Sequence, residues 1–223
     1  GIKEGSLTAA AGELKVEIKG KSGHGARPHE GVDAIWAASK VISGIQELIT
    51  RQLDPLDPVV ITFGKINGGN AFNVLAEKVN LIGTVRCTNL KLFKNIGNWL
   101  DENISSLAKS CGADAKVIFR EITPPVKNNS EINRLIRDSG IKVLGQENVI
   151  ELQKPSLGAE DFAEFLNEIP GAMFRLGVSS SNGCAPLHSS KFDPDERAIA
   201  VGIKVITECI VKLNNEIIKE VDK

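Results

Sequence analysis

Residues 14–29, LKVEIKGKSGHGARPH, decide how the rest of the chain is read. Leu14, Val16 and Ile18 alternate with Lys15, Glu17 and Lys19. That is the period of a strand with one face buried and the other in water. The pattern then breaks around an imidazole: His24 stands between Gly23 and Gly25. Glycine allows a second group to approach the backbone closely, and a loop at a strand end exposes what it carries. The chain has only three histidines, His24, His29 and His188. Imidazole is the side chain that binds metals or moves protons near neutral pH.

Working outward, residues 12–122 read as β-α-β-β-α-β. A helix from about Gly31 to Arg51 places Val32, Ile35, Trp36, Ile42, Ile45 and Ile49 on one stripe. Asp54-Pro55-Leu56-Asp57-Pro58 stops it, because proline lacks the N–H and restricts its neighbour. Val59 to Ile66 is a second strand, broken by Gly68-Gly69. In the third, Val79, Leu81, Val85 and Cys87 alternate with a face bearing Asn80, Thr84 and Arg86. Phe93, Ile96, Leu100, Ile104, Leu107 and Cys111 mark a second helix, and Ala115, Val117 and Phe119 a fourth strand. This order predicts a ferredoxin-like, four-stranded antiparallel sheet with both helices on one face, an α+β unit.

Thr123-Pro124-Pro125 reads as a boundary. Beyond it the spacing predicts a helix over Ser130–Leu144, a strand over Val149–Leu152, a helix over Gly158–Ile169 and a strand over Ala172–Leu176. A last helix would be capped by Asp193 with Pro194 in its first turn, its stripe being Ile199, Ile203, Ile206, Ile210, Leu213 and Ile217. This α/β tail, with residues 1–11, is too short for a complete doubly wound domain. The expected division is 12–122 against 1–11 plus 123–223.

Composition narrows the partners. A net charge of -1 argues against nucleic acid, which needs a basic surface. No apolar run reaches the ~20 residues that span a bilayer, and the N-terminus has no apolar signal segment. Cys87, Cys111, Cys184 and Cys209 form no Cys-x-x-Cys pair. They read as mostly buried free thiols of a reducing, cytoplasmic compartment. The chain opens on Gly1 and Met173 is its sole methionine, which reads as a cut within a longer polypeptide.

Taken singly, the chemical segments have ordinary readings too. His24 can be a turn histidine, and His29, after Pro28, suits a structural hydrogen bond. His188 is one ligand where zinc sites need three or four. Asn73 can be a turn residue. Arg86 can be a solvated charge or a two-pronged carboxylate grip. Pro155 to Phe162 opens a helix in this reading, whose free N–H groups suit an anion, while Glu160 and Asp161 suit a first turn.

Together the segments resemble the co-catalytic zinc amidohydrolases and exopeptidases: aminoacylase, carboxypeptidase, hippurate hydrolase and the indoleacetyl-amino-acid hydrolases. The resemblance lies in Gly20-Lys21-Ser22-Gly23-His24-Gly25-Ala26-Arg27-Pro28-His29, in Gly69-Asn70-Ala71-Phe72-Asn73-Val74 followed by Gly83-Thr84-Val85-Arg86, in Ser156-Leu157-Gly158-Ala159-Glu160-Asp161-Phe162, and in Pro186-Leu187-His188-Ser189-Ser190-Lys191-Phe192. The four motifs are in the family's order and cover nearly the whole chain.

The resemblance implies a lid and dimerisation domain at 12–122, followed by the C-terminal part of a zinc-peptidase α/β domain. It implies a metal-dependent hydrolase of N-acyl amino acids or small peptides with a free carboxylate, active as a homodimer. Two divalent metals are implied, zinc foremost, with manganese, cobalt and nickel as alternatives. His188 would bind one of them. His24 would reach the partner subunit's active site and stabilise the oxyanion. Asn73 and Arg86 would hold the intermediate or the substrate carboxylate, and the Gly158 backbone would contact that carboxylate. The family's other metal ligands and its glutamate base have no counterpart here, so the chain alone is expected to be inactive. The competing reading is a stand-alone association or small-molecule-sensing module, since this architecture hosts many functions.

Overall fold

The computed structural model describes residues 1–180 and 183–221, with the side chains of 216–221 left aside. In chain order the elements begin with β1 (Gly5–Ser6), β2 (Ala10–Lys19), α1 (Ala34–Gln52), β3 (Val59–Gly68), β4 (Lys78–Cys87) and α2 (Leu90–Ser110). There follow β5 (Asp114–Thr123), β6 (Lys127–Asn128), α3 (Ser130–Leu144), α4 (Phe162–Glu168) and α5 (Arg197–Val221). They fall into two compact units. Thr8–Pro125 with Ser156–Asp161 forms a sheet unit, and Gly1–Leu7, Val126–Pro155 and Phe162–Lys223 form a helical unit.

The sheet unit is the antiparallel, ferredoxin-like arrangement that the alternation predicts, with strand order β3-β4-β2-β5. β2 pairs along its whole length with β4, from Ala10 opposite Cys87 to Lys19 opposite Lys78. On its other side it pairs with β5, from Ala11 opposite Thr123 to Lys19 opposite Asp114. Leu14, Val16, Ile18, Val79, Leu81 and Val85 on the sheet, and Val41, Ile45, Phe93, Ile96, Leu100 and Ile104 on the helices, are essentially sealed from water. Burying each such side chain stabilises the fold by about 1.5–3 kcal/mol.

The helix starts are set by side-chain caps. Asp33 Oδ1 accepts from the Ile35 and Trp36 amides at 2.8 and 3.2 Å, so α1 starts at Ala34 rather than near Gly31. Asn89 and Asn129 cap α2 and α3 in the same way. The sheet's other face carries ion pairs: Glu17 meets both Lys78 and Lys19, and Glu13 meets Lys15 at 3.0 Å. These lysines hold the Glu17 carboxyl below its usual pKa.

The helical unit departs from expectation in four places. Over 149–152 there is a single parallel bridge, Ile2 with Glu151, and no strand. Over 172–176 there is again no strand: Arg175 exchanges hydrogen bonds with Gly1 at 2.7 and 2.8 Å, and Met173 N–H donates to Asn128 Oδ1 at 2.8 Å. In both cases the partner is a piece too short to make a ladder. α4 starts at Phe162, not Gly158. α5 starts at Arg197, whose amide is capped by Asp195 Oδ1 at 3.0 Å, not by Asp193. Arg197 grips the same carboxylate and holds its pKa down to about 2.

The isoleucine stripe of α5 also faces the other way. Ile199, Ile203, Ile206 and Ile210 are 64, 61, 48 and 52% exposed, while Gly202 and Val205 are buried. Ile217 lies outside the described side chains. All four cysteines are free thiols, but only Cys87 is buried and the others are half-buried. Burial pushes the Cys87 and Cys209 thiols up. Among the described residues no helix is long and apolar enough to cross a membrane.

Phe119 supplies a test of the packing. Its ring meets Phe93 edge-on at 5.6 Å and covers Gly12, where an added Cβ would lie 2.3 Å from a ring carbon. Gly12→Val should therefore cost about 2 kcal/mol or more in urea unfolding, through overpacking. Gly64→Ala, with nothing within 4 Å of its Cβ, should change stability by less than about 0.5 kcal/mol.

Candidate functional site

The loop after β2 is not loose. Gly25 N–H donates to Asn73 O at 2.8 Å and Leu75 N–H to Gly23 O at 2.8 Å, so His24 and Val74 form an antiparallel bridge. A Cβ at position 25 would sit 3.0 Å from Asn73 O, so glycine lets the two segments approach without either having to give way. His24 and Asn73, 49 positions apart in sequence (73 less 24), are thus carried on adjoining backbone. Both side chains are exposed.

The His24 ring is oriented from below. Ala26 N–H donates to His24 Nδ1 at 3.1 Å. An accepting Nδ1 carries no proton, so the neutral ring carries its proton on Nε2 and presents it outward as a donor. His29 lies in a 3₁₀ turn, exposed, with Nε2 3.9 Å from Glu30 Oε1.

Arg86 is elsewhere. It sits near the end of β4, opposite Ala11 on β2 and Val60 on β3. The His24 loop follows Lys19, at the other end of β2. Eight residues of strand separate Ala11 from Lys19, roughly 27 Å. The sheet therefore does not bring Arg86 and Asn73 together within one copy, although their closeness in sequence suggests it. Gly158 belongs to the Arg86 end: Ala9 N–H donates to Gly158 O at 3.1 Å, and Thr123 Oγ1 to Glu160 O at 3.3 Å.

Gly158 is not at a helix N-terminus, and its own N–H is taken by Ser156 Oγ at 3.0 Å. That corrects the expected anion site there: the Ala9 and Thr123 bonds hold the segment in an irregular path, and α4 starts four residues later. The Ser156 hydroxyl two residues before the glycine was the visible signal.

His188 lies in the helical unit, exposed, in a turn closed by Ser189 N–H to Pro186 O at 3.1 Å. Its φ is 68°, the sole left-handed value on a non-glycine residue among those described. Such strain collects where a side chain must be aimed. Among the described residues no three His, Cys, Asp or Glu side chains group to hold a metal. The described residues thus do not make a metal centre by themselves, and His188 is a single ligand at most. Two open cavities, of about 570 and 600 Å³, contain none of the five candidates in their lining.

Residues 8–110 match the family profile of the peptidase dimerisation domain. A protein of Synechocystis sp. described as a probable hydrolase is 41% identical over 209 residues, 93% of this chain and 53% of that protein. Residues 8–110 are an M20 peptidase dimerisation domain. Another relative, the N-acetyldiaminopimelate deacetylase of Bacillus cytotoxicus, is 35% identical over 93% of this chain and 54% of its own length.

Among solved structures, a protein of methicillin-resistant Staphylococcus aureus provisionally assigned as an aminohydrolase superposes with a TM-score of 0.82 at 25% identity. The match covers 95% of this chain and 54% of the other. A Bacillus subtilis protein described as a dinuclear metal-binding M20 peptidase shares the fold, with a TM-score of 0.76 at 24% identity, over 96% of this chain and 52% of that one. The chain spans about half the length of the relatives it matches.

The left-handed backbone at His188 is testable. An L-residue pays about 1–2 kcal/mol there that glycine does not. His188→Gly should be more stable than His188→Ala by about 1 kcal/mol in thermal unfolding. Equal stabilities would show that the turn carries no strain.

Proposed function

We propose that the protein containing this chain is a metal-dependent amidohydrolase that cleaves an N-acyl amino acid or small peptide bearing a free carboxylate, and that it works as a homodimer. The observation that carries this reading is the bridge between His24 and Val74. It carries His24, whose Nδ1 accepts from the Ala26 amide, and Asn73 on adjoining backbone at one end of the sheet. An imidazole N–H held by its other ring nitrogen, with a carboxamide on the adjoining backbone, suits the oxyanion of a tetrahedral intermediate, where preorganised hydrogen bonds act most strongly. The deacetylase relative, by its name, removes an acetyl group from N-acetyldiaminopimelate.

Arg86 takes the substrate's carboxylate at the other end. Gly158 takes a smaller part, since its N–H would first have to leave Ser156. His188 serves as one ligand of a divalent pair, zinc foremost; it cannot hold that pair alone, and this chain by itself would be inactive. The two ends of the sheet then carry different groups: His24 and Asn73, which reach the partner subunit's site in this reading, and Arg86 at the other end.

Exposed apolar surface supports association. β3 is an edge strand, and Trp36, Ile66, Phe72 and Val74 are 49, 57, 103 and 44% exposed. Open edges and apolar patches invite pairing. The sheet unit is the lid and dimerisation domain in this reading, and the helical unit is part of the catalytic α/β domain. Among the described residues, Leu7, Val126 and Ala163 form a small core cluster in the helical unit, Ile2, Leu135, Ile136 and Val205 are buried as well, and the α5 isoleucines are left exposed. A free-standing association module would leave that stripe in water. Four free thiols fit a cytoplasmic setting.

Mixed dimers of the full-length protein test the arrangement. His24→Ala and His188→Ala should each abolish turnover of an N-acetyl amino acid. Equal mixtures of the two variants, unfolded and refolded together, should regain about a quarter of wild-type activity, since half the dimers then hold one intact site. If His24 acted within its own subunit, the mixture would stay inactive.

A further inference from the structure

Arg86 is useful as a carboxylate grip only if its guanidinium faces the right way, and one neighbouring side chain decides that. Thr84 lies two residues earlier on β4 and on the same sheet face. Arg86 Nη1 donates to Thr84 Oγ1, and also to Val85 O at 3.1 Å. Thr84 Oγ1 in turn donates to Gly12 O at 3.4 Å, on the paired strand β2. The hydroxyl thus spends its single proton on the sheet and offers a lone pair to the arginine.

Both Nη1 hydrogens are then engaged. Of the five guanidinium N–H groups, those on Nε and Nη2 remain. These two nitrogens form the side-on edge of the fork, which matches the two oxygens of a carboxylate. The nearest acid across the strand, Glu13, stands opposite Thr84 and is drawn to Lys15 at 3.0 Å and Arg120 at 3.8 Å. It does not occupy that edge.

We propose that Thr84 is a positioning residue for the proposed substrate grip: it pins Arg86 Nη1, so that the Nε–Nη2 edge is presented to the substrate carboxylate. The proposal rests on the reading of Arg86 given above. It requires a hydroxyl at position 84, not merely a β-branched residue that suits a strand.

Two measurements test it. The first uses this 223-residue chain with ¹⁵N-labelled arginine, the Arg86 signals being assigned by Arg86→Lys. Pinned Nη1 should slow rotation about the Cζ–Nε bond and give separate Nη1 and Nη2 signals. Thr84→Val should merge them and Thr84→Ser should restore them. Merged signals in the wild type, or separate ones in Thr84→Val, would overturn the proposal.

The second uses the full-length protein, with an N-acetyl amino acid and its carboxamide as paired substrates. Thr84→Val should raise KM for the carboxylate about tenfold with kcat within about twofold, and Thr84→Ser should restore it; tenfold corresponds to about 1.4 kcal/mol. An unchanged KM in Thr84→Val beside a raised KM in Arg86→Lys would overturn the role of Thr84. If Arg86→Lys itself leaves the carboxylate preference intact, the reading of Arg86 fails instead, which the signals from the isolated chain report separately. Should Thr84→Val fail to fold, separate Nη signals in Thr84→Ala would overturn the proposal, and merged ones would support it.

Discussion

The length of β2 governs what this molecule can do. Ten residues, paired without interruption to β4 and nearly so to β5, make a rigid span. A rise of about 3.3 Å per residue keeps its ends roughly 30 Å apart. No side chain bridges that distance. Donors at the Lys19 end and the arginine at the Ala11 end cannot meet on one small substrate within a single copy. Any chemistry that uses both kinds of group needs a second sheet whose opposite end is brought near. Symmetric pairing of identical chains is the simplest way to supply it.

Much of the sheet unit was legible because its signals are local. Alternation over 14–19 and 79–87, the stripe of α2 and the proline stop after α1 all depend on residues a few positions apart. The predicted stripe of α1 held at Ile45 but leaves Ile35 and Trp36 each 49% exposed, because Ala34, Ala37, Ala38 and Val41 face the sheet instead. What the sequence concealed was direction. Asn73 and Arg86 lie 13 positions apart (86 less 73), and the resemblance gives both a part in holding the intermediate or the substrate carboxylate, but β4 runs between them and carries them to opposite ends of the sheet. Thr84 beside Arg86 was visible as a period-two pair. Its hydrogen bond to the guanidinium was not, because alternation fixes a face and leaves rotamers open.

The helical unit was harder to read for a different reason. It is joined through short pieces far apart in sequence: Ile2 pairs with Glu151 and Gly1 with Arg175, each across more than a hundred positions, and the Asn128 side chain bonds to both Lys3 and Met173. Such contacts leave no periodic trace. The spacing of Ile199, Ile203, Ile206 and Ile210 did show an apolar face, but a stripe states only that a face wants cover. It does not say which neighbour provides it. Here α3 meets the other side of α5, where Lys142 reaches Glu208 at 2.7 Å.

The two imidazoles are consequently placed by unlike means. His24 is held by sheet-like backbone pairing, with a ring nitrogen fixed by the Ala26 amide, on a unit with a dense core of its own. His188 is aimed by a strained turn on a unit whose core cluster is small and whose longest helix leaves isoleucines in water. Precision at a site follows the rigidity of what lies beneath it. The His24 ring is thus oriented by bonds within its own sheet unit. In the proposed reading that suits a hydrogen-bond donor, which must be in place before charge develops, whereas a metal ligand such as the one proposed at His188 would be drawn into line by the ion and the other groups that bind it.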